Sequence, residues 1–158
     1  MTDVCLIGSD DCLLRYELLS RETSREALST YDLWEPFENA IACRTVSVGA
    51  AVSLLNDLDW YLVRFVADEL VREPSIVEDE WLSRELATKV RNDAVRPEET
   101  DQFYKLYGLR RPEEGPPELL EPLFVQRRDD ADELPTYDLH PDVSDTVAVR
   151  VSAEEFGA

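Results

Sequence analysis

The sequence predicts an α+β fold: one compact domain in which a mixed sheet of about five strands packs with three or four helices. Three observations carry this. The chain has 158 residues, 44% of them hydrophobic, which suits a single core. Short β-type apolar runs stand near both ends, at 3–9 and 145–151. Between them, apolar residues recur at helical spacing, around 50–58 and 75–91. The domain is read as 1–158, with 110–118 and 127–144 as loop or linker-like segments.

Taken in order, DVCLIGS (3–9) is a buried first strand, and Gly8 to Asp11 make a turn. Neither G-x-G-x-x-G nor a P-loop follows, so a nucleotide site is not indicated. CLLRYELL (12–19) suits strand and helix equally. A helix is expected over 20–31, opened by a capping box at Thr23 to Glu26. Trp34 and Phe37 cover the core. Residues 39–48 form a strand, with Ile41, Cys43 and Thr45 on one side and Ala42, Arg44 and Val46 on the other. Residues 50–58 form a helix facing inward through Ala51, Leu54, Leu55 and Leu58.

DWYLVRFV (59–66) fits both periods. Its aromatic and β-branched content selects a strand. A short strand at 69–73 follows. The best helix is expected over 75–91, with Glu78, Asp79 and Glu80 near its start, where acids favour the helix dipole. Pro97 starts a further helix, with Phe103, Leu106 and Tyr107 inward and Gly108 as its stop. Residues 119–126 and 145–151 are the last strands. In the final one Val147, Val149 and Val151 share a side.

Charge excludes more than it identifies. Thirty-five acids face 16 bases, for a net charge of −19, and Lys89 and Lys105 are the only lysines. No basic stripe exists to meet phosphates, which disfavours direct nucleic-acid binding. In dilute buffer this excess repels itself. In molar salt the Debye length falls to about 3 Å and the repulsion is screened. Acid-rich, lysine-poor composition therefore reads as that of a salt-in halophile. The longest uncharged run, 45–56, is shorter than the roughly 20 residues of a membrane helix. No basic, apolar leader is visible, so a cytoplasmic location is expected.

Motifs for catalysis are sparse. Cys5, Cys12 and Cys43 form no C-x-x-C and read as free thiols. His140, the single histidine, lies in a proline-bounded polar loop, unsuited to a Ser-His or Cys-His site. Neither metal nor cofactor is expected. The run Asp129, Asp130, Asp132 and Glu133 lacks calcium-loop spacing and reads as a solvated turn. One cluster is worth testing against a structure. Arg44, Arg64 and Arg150 each lie in an apolar, strand-like segment, where a charge is costly unless paired. In register they would form an anion site for a carboxylate or phosphate. On different faces they would not.

The segments RYELLSRET (15–23), GAAVSLLND (49–57) and EWLSRELA (80–87) resemble an uncharacterised haloarchaeal family classed only as a domain of unknown function. The resemblance spans about Val4 to Phe156. It implies a haloarchaeal origin and a small soluble domain, and carries over no activity and no site residue.

The functional expectation is a cytoplasmic protein-interaction or regulatory module without catalysis of its own, whose partner the sequence does not identify. One alternative is an anion-binding protein or enzyme using the strand arginines. Another is an acidic partner of a basic or ribosomal protein. The charge argument has its own test. The melting temperature should rise from dilute buffer to molar KCl, and an unchanged value would remove the halophile reading.

Overall fold

The computed structural model describes residues 1–127, 133–143 and 145–157. It is an α+β fold on one sheet of seven strands, in the order β2-β1-β3-β4-β7-β5-β6. These are β1 (Thr2–Gly8), β2 (Ala40–Thr45), β3 (Val66–Arg72), β4 (Trp81–Ser83), β5 (Phe103–Arg110), β6 (Glu118–Gln126) and β7 (Asp145–Val151). The β4–β7 pair is parallel and every other pair antiparallel, so the sheet is mixed, as expected. Six α-helices are described: α1 (Leu14–Leu19), α2 (Glu22–Leu28), α3 (Val48–Asp57), α4 (Asp59–Phe65), α5 (Arg84–Arg91) and α6 (Ala153–Phe156).

The counts exceed the expected five strands and three or four helices, and the differences have physical causes. Residues 59–65 are helix α4, not a strand. Leu62 is buried there, with Tyr61 and Phe65 packed beside it, so the amphipathic period outweighs β-propensity. The helix expected over 75–91 is confined to α5. Trp81 and Leu82 are adjacent and both buried, yet belong to different clusters, which a strand achieves and a helical stripe does not. Ser83 then caps α5, its Oγ accepting from the Leu86 N–H at 3.1 Å.

Pro97 starts only a single 3-10 turn, Pro97–Glu99. Phe103 to Gly108 is strand β5, buried on both faces, and double burial erases the alternation that marks a strand. The capping box at Thr23 does not form. Helix α2 begins after Arg21, and the buried Ser24 hydroxyl donates to the Leu18 carbonyl instead. A capping box does form at Ser152 and Glu155, opening α6.

Three clusters make the core. On one face of the β2-β1-β3-β4 half, Val4, Leu6, Ile41, Cys43 and Val71 pack under the helices. The opposite face carries Cys5, Leu70 and Trp81, joined by Tyr107, Val149 and Val151 from the other half. The third cluster lies behind β5, where Tyr104, Leu106 and Val125 are covered by Tyr137. Gly108 makes room for that cover, because a Cβ there would sit 2.6 Å from the Tyr137 ring.

The second cluster requires the sheet to curl. Asp68 of β3 accepts from the Tyr107 hydroxyl of β5 at 2.6 Å and forms an ion pair with Lys105. Two strands separate β3 from β5, so flat strands would hold their backbones about 14 Å apart. Side chains of Asp68 and Lys105 are 13% and 12% exposed, so the pair is largely withdrawn from water. Asp68→Ala strands the lysine charge and the tyrosine hydroxyl, and should cost about 3–5 kcal/mol of unfolding free energy. The triple replacement Asp68→Leu, Lys105→Met and Tyr107→Phe removes every stranded group and should recover most of it. Urea unfolding at one salt concentration compares them. A triple variant as unstable as the single one would contradict the burial argument.

Candidate functional site

The structure does not gather the three candidate arginines. Arg44, on β2, pairs through Nε with Asp3 Oδ1 at 2.8 Å. Arg64 lies on helix α4, not on a strand, where its guanidinium stacks 3.7 Å from the Trp60 ring centroid and Nη1 donates to the Trp60 carbonyl. Arg150, on β7, pairs with Glu80 at 2.7 Å and donates to Thr100 Oγ1 at 2.9 Å. The partner of Arg44 is instead Arg72. Asp3 lies in register with Arg44 on one side and Arg72 on the other, and both guanidiniums reach its carboxylate at 2.8 Å. Burial would raise the Asp3 carboxyl, but the hydrogen bonds and charges of these two arginines outweigh it and hold it below its ordinary value.

Burial pushes the Cys43 thiol up to about 11 and raises Cys5 further, and Cys12 is also raised, so none is an activated thiolate. His140 stacks against Tyr137, with ring centroids 6.4 Å apart. Among the described residues no group of three His, Cys, Asp or Glu side chains could hold a metal ion. Asp129, Asp130 and Asp132 of the acidic run lie outside the described residues. No helix among the described residues is long and apolar enough to cross a membrane.

A groove at the end of β1 differs from all these. Gly8 closes that strand, and a Cβ there would come within 2.8 Å of the Asn39 carbonyl and of Leu14 Cβ, so only glycine fits. The turn that follows is held by Asn39, itself in the left-handed region at φ 56°. Asn39 Nδ2 donates to the carbonyls of Ser9 and Cys12, each at 3.0 Å, and its Oδ1 accepts from the Leu14 N–H at 2.9 Å. Helix α1 starts at that N–H and drives Leu14 and Leu18 into the core. Outside, next to the exposed Arg15, two large apolar side chains are left in solvent: Leu13, just before the helix, is 74% exposed and Tyr16 67%.

Between α1 and residues 35–40 lies a groove of about 670 Å³, lined by Leu13, Leu14, Tyr16 and Leu19. Arg15 and Glu35 face each other at its rim, 3.6 Å apart. Leu13, Glu38 and Asn39 also line an adjoining crevice of about 300 Å³, which contains Asp10, Cys12 and Glu118. The Glu38 N–H donates to the Pro117 carbonyl at 2.8 Å, fixing the crevice between the two halves of the sheet.

Sequence reasoning passed over this region. The 12–19 stretch is ambiguous in period, and Asp10 and Asp11 read as a plain turn. The available signal was the helical reading of CLLRYELL, which turns Leu14 and Leu18 inward and leaves Leu13 and Tyr16 outside.

The fold is α+β, with an open, largely apolar groove beside α1. The model of a family of unknown function, DUF5804, matches residues 2–109, and the chain belongs to that family. The match runs from the start of β1 nearly to the end of β5, a shorter span than the resemblance to 156 implies. Comparison with curated proteins and with solved structures gives no match.

The Asp3 cluster yields a pH dependence. Its folded value lies below the ordinary 3.8. Its contribution to stability is therefore present above about pH 3.8 and is lost as pH falls through the lower folded value. Asp3→Asn should destabilise the protein at pH 7, and the deficit should narrow below pH 3.8. Denaturant titrations at pH 7, 5 and 3 check this. A deficit independent of pH would show that the carboxylate charge is not what Asp3 supplies.

Proposed function

We propose that this chain is a non-catalytic protein-interaction or regulatory module, working in the cytoplasm of a halophilic archaeon and docking a protein partner in the groove along α1. The observation that carries the reading is the groove itself. Leu13 and Tyr16 stand exposed side by side over an apolar channel of about 670 Å³, large enough to seat two or three side chains of a partner. A six-residue helix needs no such outer face to fold.

The surrounding chemistry supports the same reading. Arg44 and Arg150 are neutralised by Asp3 and Glu80, and Arg64 lies against Trp60, so the arginines do not converge on a ligand. The halophilic assignment rests on the net charge of −19 and the scarcity of lysine.

The test is affinity capture from the source cells in molar KCl, with the wild-type chain and with the double variant Leu13→Asp, Tyr16→Asp. The wild type should retain a stoichiometric partner and the variant should lose it at an unchanged melting temperature. A partner retained equally by both places the interaction elsewhere, and none above background removes the reading.

A further inference from the structure

We infer that the groove and the crevice beside it take one occupant, a basic amphipathic segment of a protein partner, with apolar side chains entering the groove and a lysine or arginine reaching the crevice. The inference rests on the proposed docking role and adds the chemistry of the partner.

Continuity of the two cavities is the first step. Leu13, Glu38 and Asn39 line both, so a side chain lying over Leu13 is within one residue's reach of the crevice. Tyr16 is one helical turn further along, at the i, i+3 spacing that presents two neighbouring anchors on one side of α1. A partner with apolar residues at matching spacing covers both at once, the usual mode by which an amphipathic segment lies in a groove.

Charge selects the rest of the occupant. The two cavities are lined by four carboxylates, Asp10, Glu35, Glu38 and Glu118, and by one cation, Arg15. Arg15 faces Glu35, and Glu118 is held by Arg110 at 2.9 Å. Asp10 and Glu38 have no side-chain hydrogen bond or ion pair among the described residues. Both are exposed; Asp10 lies in the crevice and Glu38 where crevice and groove meet. An acidic or purely apolar segment would bring like charge against them, or cover them without compensation. A lysine or arginine next to the apolar anchors offsets both. The apolar contact supplies the affinity and the two carboxylates set orientation.

The experiment places a benzoylphenylalanine photo-crosslinker at position 16 of the full chain, irradiates it in lysate of the source cells, and sequences the attached peptide. The expected adduct is one segment with leucine, isoleucine or phenylalanine within a few residues of lysine or arginine. Its yield should fall about tenfold when Asp10→Lys and Glu38→Lys are introduced together. Reversal of Glu98 and Glu99, exposed on the distant 3-10 turn, should leave it unchanged. Should the lysine pair lower the melting temperature, Asp10→Asn with Glu38→Gln replaces it, with a smaller fall expected.

An acidic or uncharged adduct, a second copy of this chain, or a yield indifferent to Asp10 and Glu38 overturns the basic-segment inference and leaves the groove as a docking site. No adduct at position 16, together with capture insensitive to Leu13 and Tyr16, overturns both.

Discussion

The Asp68 carboxylate, shared by Lys105 and Tyr107, is the contact on which the rest of the architecture depends. The sheet consists of two antiparallel halves, β2-β1-β3-β4 and β7-β5-β6. They join through the parallel pairing of β4 and β7, which has only two register pairs, Trp81 with Val149 and Leu82 with Arg150. So short a seam resists bending poorly. The triad supplies a second tie across the curl, and Cys5, Leu70, Trp81, Val149 and Val151 fill the space beneath it. The crevice inherits its shape from this closure. Glu38 belongs to the first half and Glu118 to the second, and they line one cavity because the halves are held together.

Legibility of the fold in the sequence followed the solvation of each element. Strand β7 turns Val147, Val149 and Val151 to one cluster, with Thr146 and Arg150 at alternate positions, and was readable from alternation. Helix α3 was readable from Ala51, Leu54, Leu55 and Leu58, all buried. Strand β5 was not. Tyr104 and Leu106 face one cluster while Phe103, Tyr107 and Leu109 face another, so the apolar run has no polar side to set its period. Strand β4 is three residues long, below the length at which any periodicity shows. Its existence depends on long-range partners, Leu70 and Val71 on one side and Val149 and Arg150 on the other.

The site was less legible than the fold, because its parts are distant in sequence. Gly8, Asn39 and Leu14 fit against one another only after β1 and β2 have paired. Asn39 then serves as a clamp with three hydrogen bonds to the turn before α1. Nothing local in ENAIA announces that role beyond the tolerance of asparagine for positive φ. The arginine reading failed for a related reason. A charge inside an apolar segment does need a partner, and Arg44 and Arg150 each have one. What a linear pattern does not carry is whether two such residues share a face, and Arg64 lost its place with the change of 59–65 from strand to helix.

On the proposed docking role, the allocation of charge links stability to recognition. At least ten of the sixteen basic residues are engaged in ion pairs, and the least exposed of these, on Lys105 and Arg150, join segments far apart in sequence. Most cations are thus neutralised within the chain, while unpaired carboxylates such as Asp10 and Glu38 remain on the surface. Exposed pairs add little stability individually. Their main effect is on what a partner meets, which is carboxylate almost everywhere. In concentrated salt that field reaches only about 3 Å, so steering from a distance is lost and charge acts at contact. Under those conditions a uniformly acidic surface discriminates poorly between partners. On the proposed docking role, selectivity then requires a place where apolar surface and unpaired carboxylates meet at contact range, and the junction of groove and crevice at Leu13 and Glu38 offers both.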